Sequence, residues 1–275
     1  MNNLLSYSSL KLDRFSKEGE RLTSASGFVI EAGTRHFLIT NRHVVCQRDG
    51  HEAEQVEPSL EPYMLKTSVH IHGGAAEKSF PLYTGRRQRI TLRLYDDAGA
   101  PQWMEHRDPK PGQPSADLAA LPLRFDVVLE LFSAKTPEIY GNASSWSTIS
   151  NSWLKVSAIP LSGIHTDVEY APPDAVHIIG YPLAWAPDGM DRSSSAFWRT
   201  SFIASEMYEG GQTRSDVFFV DPCAPEGMTG SPVVGLKNNR LKLLGIYSDQ
   251  STAEFGANAG FVRGAWLLKD LIGAS

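Results

Sequence analysis

The sequence predicts an all-β chain closed by a C-terminal helix, and three observations carry that expectation. First, apolar runs of strand length recur between Gly, Pro, Asn and Asp. They include Gly27-Phe28-Val29-Ile30, His36-Phe37-Leu38-Ile39, Val176-His177-Ile178-Ile179, Val217-Phe218-Phe219-Val220 and Leu243-Leu244-Gly245-Ile246. Their shortness and their β-branched and aromatic content favour strands over helices. Second, Ile90-Thr91-Leu92-Arg93-Leu94 alternates apolar and polar residues, the pattern of a half-buried strand. Third, helical spacing is confined to two places. One is a single turn from Arg42 to Cys46 after Asn41, the other the stretch from Ala265 to Ile272 with Leu and Trp on one face.

The remaining sequence sets the organisation. At 275 residues the chain is long for one ordinary domain and short for two independent ones. Gly141 to Ser152, read as GNASSWSTISNS, is small, polar and poor in core formers, which makes it the expected linker. Gln47 to Ala116 is rich in His, Gly, Pro and charge, so long surface loops with strand islands are expected there. No repeat of fixed period is visible.

Composition excludes several function classes. Hydrophobic residues make up 41% and charged residues 21%, in the range of globular chains with a sizeable core. The net charge of −5 gives no broad attraction to nucleic acid or an anionic membrane. The basic run Arg86-Arg87-Gln88-Arg89 is expected to be a solvated strand edge. Two cysteines, Cys46 and Cys223, do not make a disulfide framework, and both are expected to be reduced. The first residues, MNNLLSYSSLKLDRF, lack the basic start and apolar core of a secretory signal, and no apolar run reaches membrane-spanning length. The expected setting is cytoplasmic. His70 and His72 would share a strand face but have no third ligand at recognisable spacing, and no phosphate-cradling loop is present, so no metal and no cofactor are expected.

Three segments carry chemistry in combination. Leu38-Ile39-Thr40-Asn41-Arg42-His43-Val44-Val45 supplies a histidine, Asp117-Leu118-Ala119-Ala120-Leu121 a carboxylate, and Glu226-Gly227-Met228-Thr229-Gly230-Ser231-Pro232-Val233 a hydroxyl in a glycine-flanked bend. Taken singly, each has a bland structural explanation. In the order His, Asp, hydroxyl they suit acyl transfer: an imidazole to take the hydroxyl proton, a carboxylate to fix its tautomer, and backbone N–H groups to hold an oxyanion.

With these segments the chain resembles the trypsin-like peptidases of the chymotrypsin fold, in particular the bacterial intracellular proteins with trypsin-like peptidase domains. The resemblance rests on an ordered series of motifs over about residues 20–272. After Ser26-Gly27-Phe28 come Thr40 to Val44, Leu94 to His106, Asp117 to Leu123, Gly180-Tyr181-Pro182 and Ile203-Ala204-Ser205-Glu206. Gly227 to Val233, Gly245 to Ser248 and Gly260-Phe261-Val262 complete it. It implies two six-stranded antiparallel β-barrels with a cleft between them. On this basis residues 1–19 are an N-terminal extension, 20–150 an N-terminal barrel holding His43 and Asp117, and 151–275 a C-terminal barrel with Thr229 and the terminal helix. By the same resemblance Gly227 and Thr229 supply the oxyanion donors, and Cys223, Ser248 and Gly260 line the substrate pocket.

One departure matters. The family has Ser where this chain has Thr229. Ser231, two positions on and followed by Pro232, is expected to be a small packing residue and not the nucleophile. The extra methyl of Thr229 would crowd an approaching carbonyl by about 1–3 kcal/mol, or about 5- to 150-fold in rate. The resemblance thus implies an endopeptidase that hydrolyses peptide bonds through His43, Asp117 and Thr229, slowed by that methyl. The alternative is a pseudoprotease that binds a peptide or protein partner in the cleft. Expected partners are a peptide or protein substrate and, in the alternative, a protein partner or activator, with neither nucleic acid nor membrane.

Overall fold

The computed structural model describes residues 2–46, 61–73, 86–106, 116–123, 139–140, 154–164, 170–183, 196–209, 213–237, 240–250 and 259–273. A short helix, α1 (Asn2–Ser8), leads into β1 (Ser9–Phe15), β2 (Arg21–Ala32) and β3 (Arg35–Thr40). After the one-turn α2 (Arg42–Val45) come β4 (Met64–Gly73), β5 (Arg86–Arg93), β6 (Met104–Glu105), β7 (Ala119–Leu123) and β8 (Ile139–Tyr140). Then follow β9 (Leu154–Val156), β10 (Ile159–Pro160), β11 (Ala175–Gly180), β12 (Phe197–Ile203), β13 (Tyr208–Glu209) and β14 (Thr213–Arg214). The chain ends with β15 (Val217–Asp221), β16 (Pro232–Lys237), β17 (Arg240–Gln250), β18 (Gly260–Gly264) and α3 (Trp266–Gly273).

Two sheets account for nearly all of these strands, in the two-barrel arrangement of the chymotrypsin fold. In the first, the order β6-β7-β3-β2-β1-β4-β5-β8 is joined by β9 on β4 and β10 on β2. In the second, β11-β12-β15-β18-β17-β16 closes into a barrel, which removes its exposed edges. The apolar runs are continuous because these strands are buried on both faces. Along β2 and β3, Val29 and Leu38 face one core with Leu10 and Leu12, whereas Phe28, Ile30, Phe37 and Ile39 face a second. That second core is shared. Leu118 and Ala120 of the first sheet meet Ile179, Val234, Leu243 and Ile246 of the barrel there, and Leu267, Leu268 and Ile272 of α3 seal it.

The structure corrects the expected boundaries. In the first half ten strands join in one half-barrel sheet, with no closure among the described residues. Residues 9–15 are not an extension. They form β1, paired to β2 on one side and β4 on the other, because Leu10 and Leu12 alternate into the core. The strands at 154–160 likewise belong to the first sheet, and not to the second barrel. The linker expected at 141–152 lies outside the described residues, as do the side chains of His70, His72 and Arg86 to Gln88. Both cysteines are free, Cys46 buried and Cys223 half-buried. Among the described residues no group of His, Cys, Asp or Glu could hold a metal ion.

Candidate active site

The turn α2 follows directly from β3, and β3 pairs with β7 so that Thr40 lies opposite Ala119. This register sets His43, just beyond one strand, beside Asp117, just before the other. The Asp117 carboxylate grips α2 twice: Oδ1 accepts the His43 backbone N–H at 3.0 Å, and Oδ2 lies 2.8 Å from His43 Nδ1. Oδ2 also accepts the Ser248 hydroxyl at 2.6 Å. Burial alone would raise the Asp117 carboxyl. The hydrogen bonds from His43 and Ser248, with the nearby charge of His43, outweigh it and hold the group at about 2. Above that pH the carboxylate can only accept, so Nδ1 carries a proton and the neutral ring keeps its lone pair on Nε2.

Asn41 sits where a helix cap would, yet its side chain makes no cap bond. The fully buried amide instead donates to the Asp117 carbonyl and to Ser248 Oγ, each at 2.9 Å. The Ser248 hydroxyl therefore accepts from Asn41 and spends its one proton on Asp117. On the outer side of α2, Arg42 Nε donates to Glu105 Oε1 at 3.2 Å, and Trp103 Nε1 donates to the same oxygen at 2.8 Å. These bonds give the Leu94 to His106 motif a task, that of bracing the turn that carries His43.

Thr229 is half-buried in the bend between β15 and β16. Gly227 and Gly230 have φ of +89° and +88°, a region that side chains other than glycine rarely adopt. At Gly230 a Cβ would also run into the Ser26 carbonyl and Thr40 Oγ1. The Glu226 carbonyl accepts Leu183 N–H at 2.8 Å, and the Met228 carbonyl accepts Ser231 N–H at 3.0 Å. In a trans peptide unit C=O and N–H point opposite ways, so the N–H groups of Gly227 and Thr229 are turned away from those bonds. Neither of these N–H groups donates to a backbone carbonyl among the described residues.

Sequence reasoning gave Ser26 no task, and the structure gives it a central one. Fully buried in β2, its hydroxyl donates to the Gly227 carbonyl at 2.9 Å and accepts Tyr181 N–H at 2.9 Å. Its backbone N–H donates to the Thr229 carbonyl at 2.8 Å. The first sheet thus holds the bend of the second. The Ser26-Gly27-Phe28 motif was the available signal. Ser231 is fully buried with its hydroxyl against Gly180, where a Cβ would strike it, so it is placed for close packing.

Of the three expected pocket residues, Ser248 and Gly260 lie against described side chains. Ser248 is engaged with Asp117. A Cβ on Gly260 would lie 2.5 Å from the Tyr247 ring. Ala224, next to Cys223, donates its N–H to the Tyr247 hydroxyl at 3.1 Å. Gly260 and the residue after Cys223 both meet Tyr247, which is 1% exposed.

No family model and no curated protein matches the chain. Solved structures do match, among them an HtrA-type protease with a tripeptide, at 13% identity and a TM-score of 0.48. The match covers 99% of this chain and 61% of that one, and at this identity it assigns no residue a role. No helix of the described residues is long and apolar enough to cross a membrane.

Proposed function

We propose that this chain is a trypsin-like endopeptidase, akin to the bacterial intracellular ones, with Thr229 as nucleophile. The observation that carries the reading is the doubly anchored pair of His43 and Asp117, bonded at 2.8 Å and 3.0 Å. A histidine that merely packs has no need of a buried carboxylate fixing its tautomer. In the reaction Thr229 Oγ1 attacks the peptide carbonyl carbon while His43 Nε2 takes its proton. The carbonyl oxygen becomes an oxyanion facing the N–H groups of Gly227 and Thr229. Asp117 steadies the imidazolium, which then protonates the leaving amine. Water repeats the sequence on the acyl-enzyme and frees the second product. The expected substrate is a peptide or protein and the expected setting cytoplasmic.

The competing reading is a pseudoprotease, in which Thr229 stands where the family has Ser and the cleft binds without cutting. Three chains decide between the readings. Thr229→Ser removes only the methyl and its restriction on χ1, so hydrolysis of a broad peptide library should rise at least about tenfold. Thr229→Ala should be inert, and a fluorophosphonate should label the native chain and Thr229→Ser but not Thr229→Ala. A serine chain as inert as the alanine chain would sink the peptidase reading in favour of peptide binding without cleavage.

A further inference from the structure

We propose that Tyr247 plugs the side-chain pocket of the cleft, so that the residue donating the scissile carbonyl must be Gly or Ala. This inference rests on the peptidase reading above. A carbonyl held at the Thr229 bend carries its own side chain one atom away, on the adjoining Cα. That side chain has to descend beside the bend, between residues 223–229 and the paired strands β17 and β18. Tyr247 is fastened into this ground. Its carbonyl accepts Gly230 N–H at 2.8 Å, and its N–H donates to the Ser231 carbonyl at 2.9 Å. Its hydroxyl accepts Ala224 N–H at 3.1 Å and reaches the Ala224 carbonyl at 3.3 Å, so the ring spans from β17 to the far side of the bend.

The space around the ring is already filled. Ala224, Met228 and Val262 are fully buried in the same cluster as Tyr247. Gly260 lacks a Cβ in the one direction that would collide with the ring, 2.5 Å from Cε2 and 3.1 Å from the hydroxyl. A tyrosine anchored by its backbone in β17 and by its hydroxyl on Ala224 does not swing aside without breaking those hydroxyl bonds in a dry core. A methyl group or a hydrogen can sit above it, and a benzyl or isobutyl group cannot.

The test reads binding, which does not depend on the nucleophile. Acetylated tetrapeptide acids ending in Gly, Ala, Leu or Phe are titrated into the nitrogen-15-labelled full chain, and the Gly227 and Thr229 amide shifts are followed. The native chain should bind the Gly- and Ala-ending peptides at least about tenfold more tightly than the Phe-ending one. Tyr247→Phe keeps the ring and should keep that order, whereas Tyr247→Ala opens the pocket and should tighten the Phe-ending peptide at least about tenfold. Should Tyr247→Ala fail to fold, the native order decides alone. Phe-ending peptide bound as tightly as Ala-ending overturns the plug, even if fluorophosphonate labelling upholds the peptidase reading. An Ala preference in a chain whose Thr229→Ser form cleaves nothing keeps the plug and removes the hydrolysis. No binding of any of the four peptides overturns it.

Discussion

At the scale of single residues, the ionisation of Asp117 is the clearest handle on the site. Its carboxyl is held at about 2 in the folded chain, against 3.8 ordinarily. A depressed folded pKa contributes stability that is whole above the unfolded value and is lost as pH falls through the folded one. The shift corresponds to about 2 kcal/mol, lost between about pH 4 and pH 2. Acid titrations of unfolding free energy should therefore be shallower in that window for Asp117→Asn than for the native chain. Equal slopes would mean that the carboxylate is not held as the geometry requires. His43, Asp117 and the Thr229 bend were legible in the sequence because short motifs bring their own local geometry: a turn after a strand, a glycine on each side of a hydroxyl. Ser26 and Tyr247 were not. Their tasks come from partners outside their own motifs, 201 residues away for Ser26 and Gly227 and 23 for Tyr247 and Ala224, and nothing in local spacing announces such pairings.

Among the elements, the bend at 226–231 is the one whose shape is least negotiable. Gly230→Ala would place a methyl against the Ser26 carbonyl and Thr40 Oγ1 on top of the backbone strain at φ +88°. Gly33 also has positive φ, +63°, but opens onto free space and serves as the control. Gly33→Ala should lower stability by about 1 kcal/mol, Gly230→Ala by at least twice that, compared by urea unfolding. Similar losses at the two positions would show that the seam between Ser26 and the bend is looser than described. Elements were read well where both faces are buried, as in β2 and β3, since a continuous apolar run leaves few alternatives. β1 was missed although Leu10 and Leu12 alternate as a strand should. Lys11, Asp13 and Arg14 interleave them, and two apolar positions are too few to stand out without the partners on either side.

For the molecule as a whole, the shared core has more to say than either sheet. Phe28 and Ile246 come from different sheets and are both fully buried in it, with α3 as its lid. Neither half closes its own apolar surface, so unfolding should follow one transition by circular dichroism and tryptophan fluorescence alike. Phe28→Ala should lower stability by about 3–5 kcal/mol and move that transition without splitting it. Two separated transitions, with only the first responding, would mean that the halves are independent. The two-part plan was legible in motif order, but the boundary was not, because strands at 154–160 return to the first sheet after the chain has left it. The seam at Ser26 also limits how such a chain can be recombined. Ser26 and Thr40 lie early in the sequence, Gly180 and Gly230 late, and each glycine leaves room for atoms of the early pair or of Ser231. A hybrid joined anywhere between Thr40 and Gly180 takes one bank of the seam from each parent. Only parents that match at these distant positions can exchange halves, so the seam is inherited as one unit despite being written in two places.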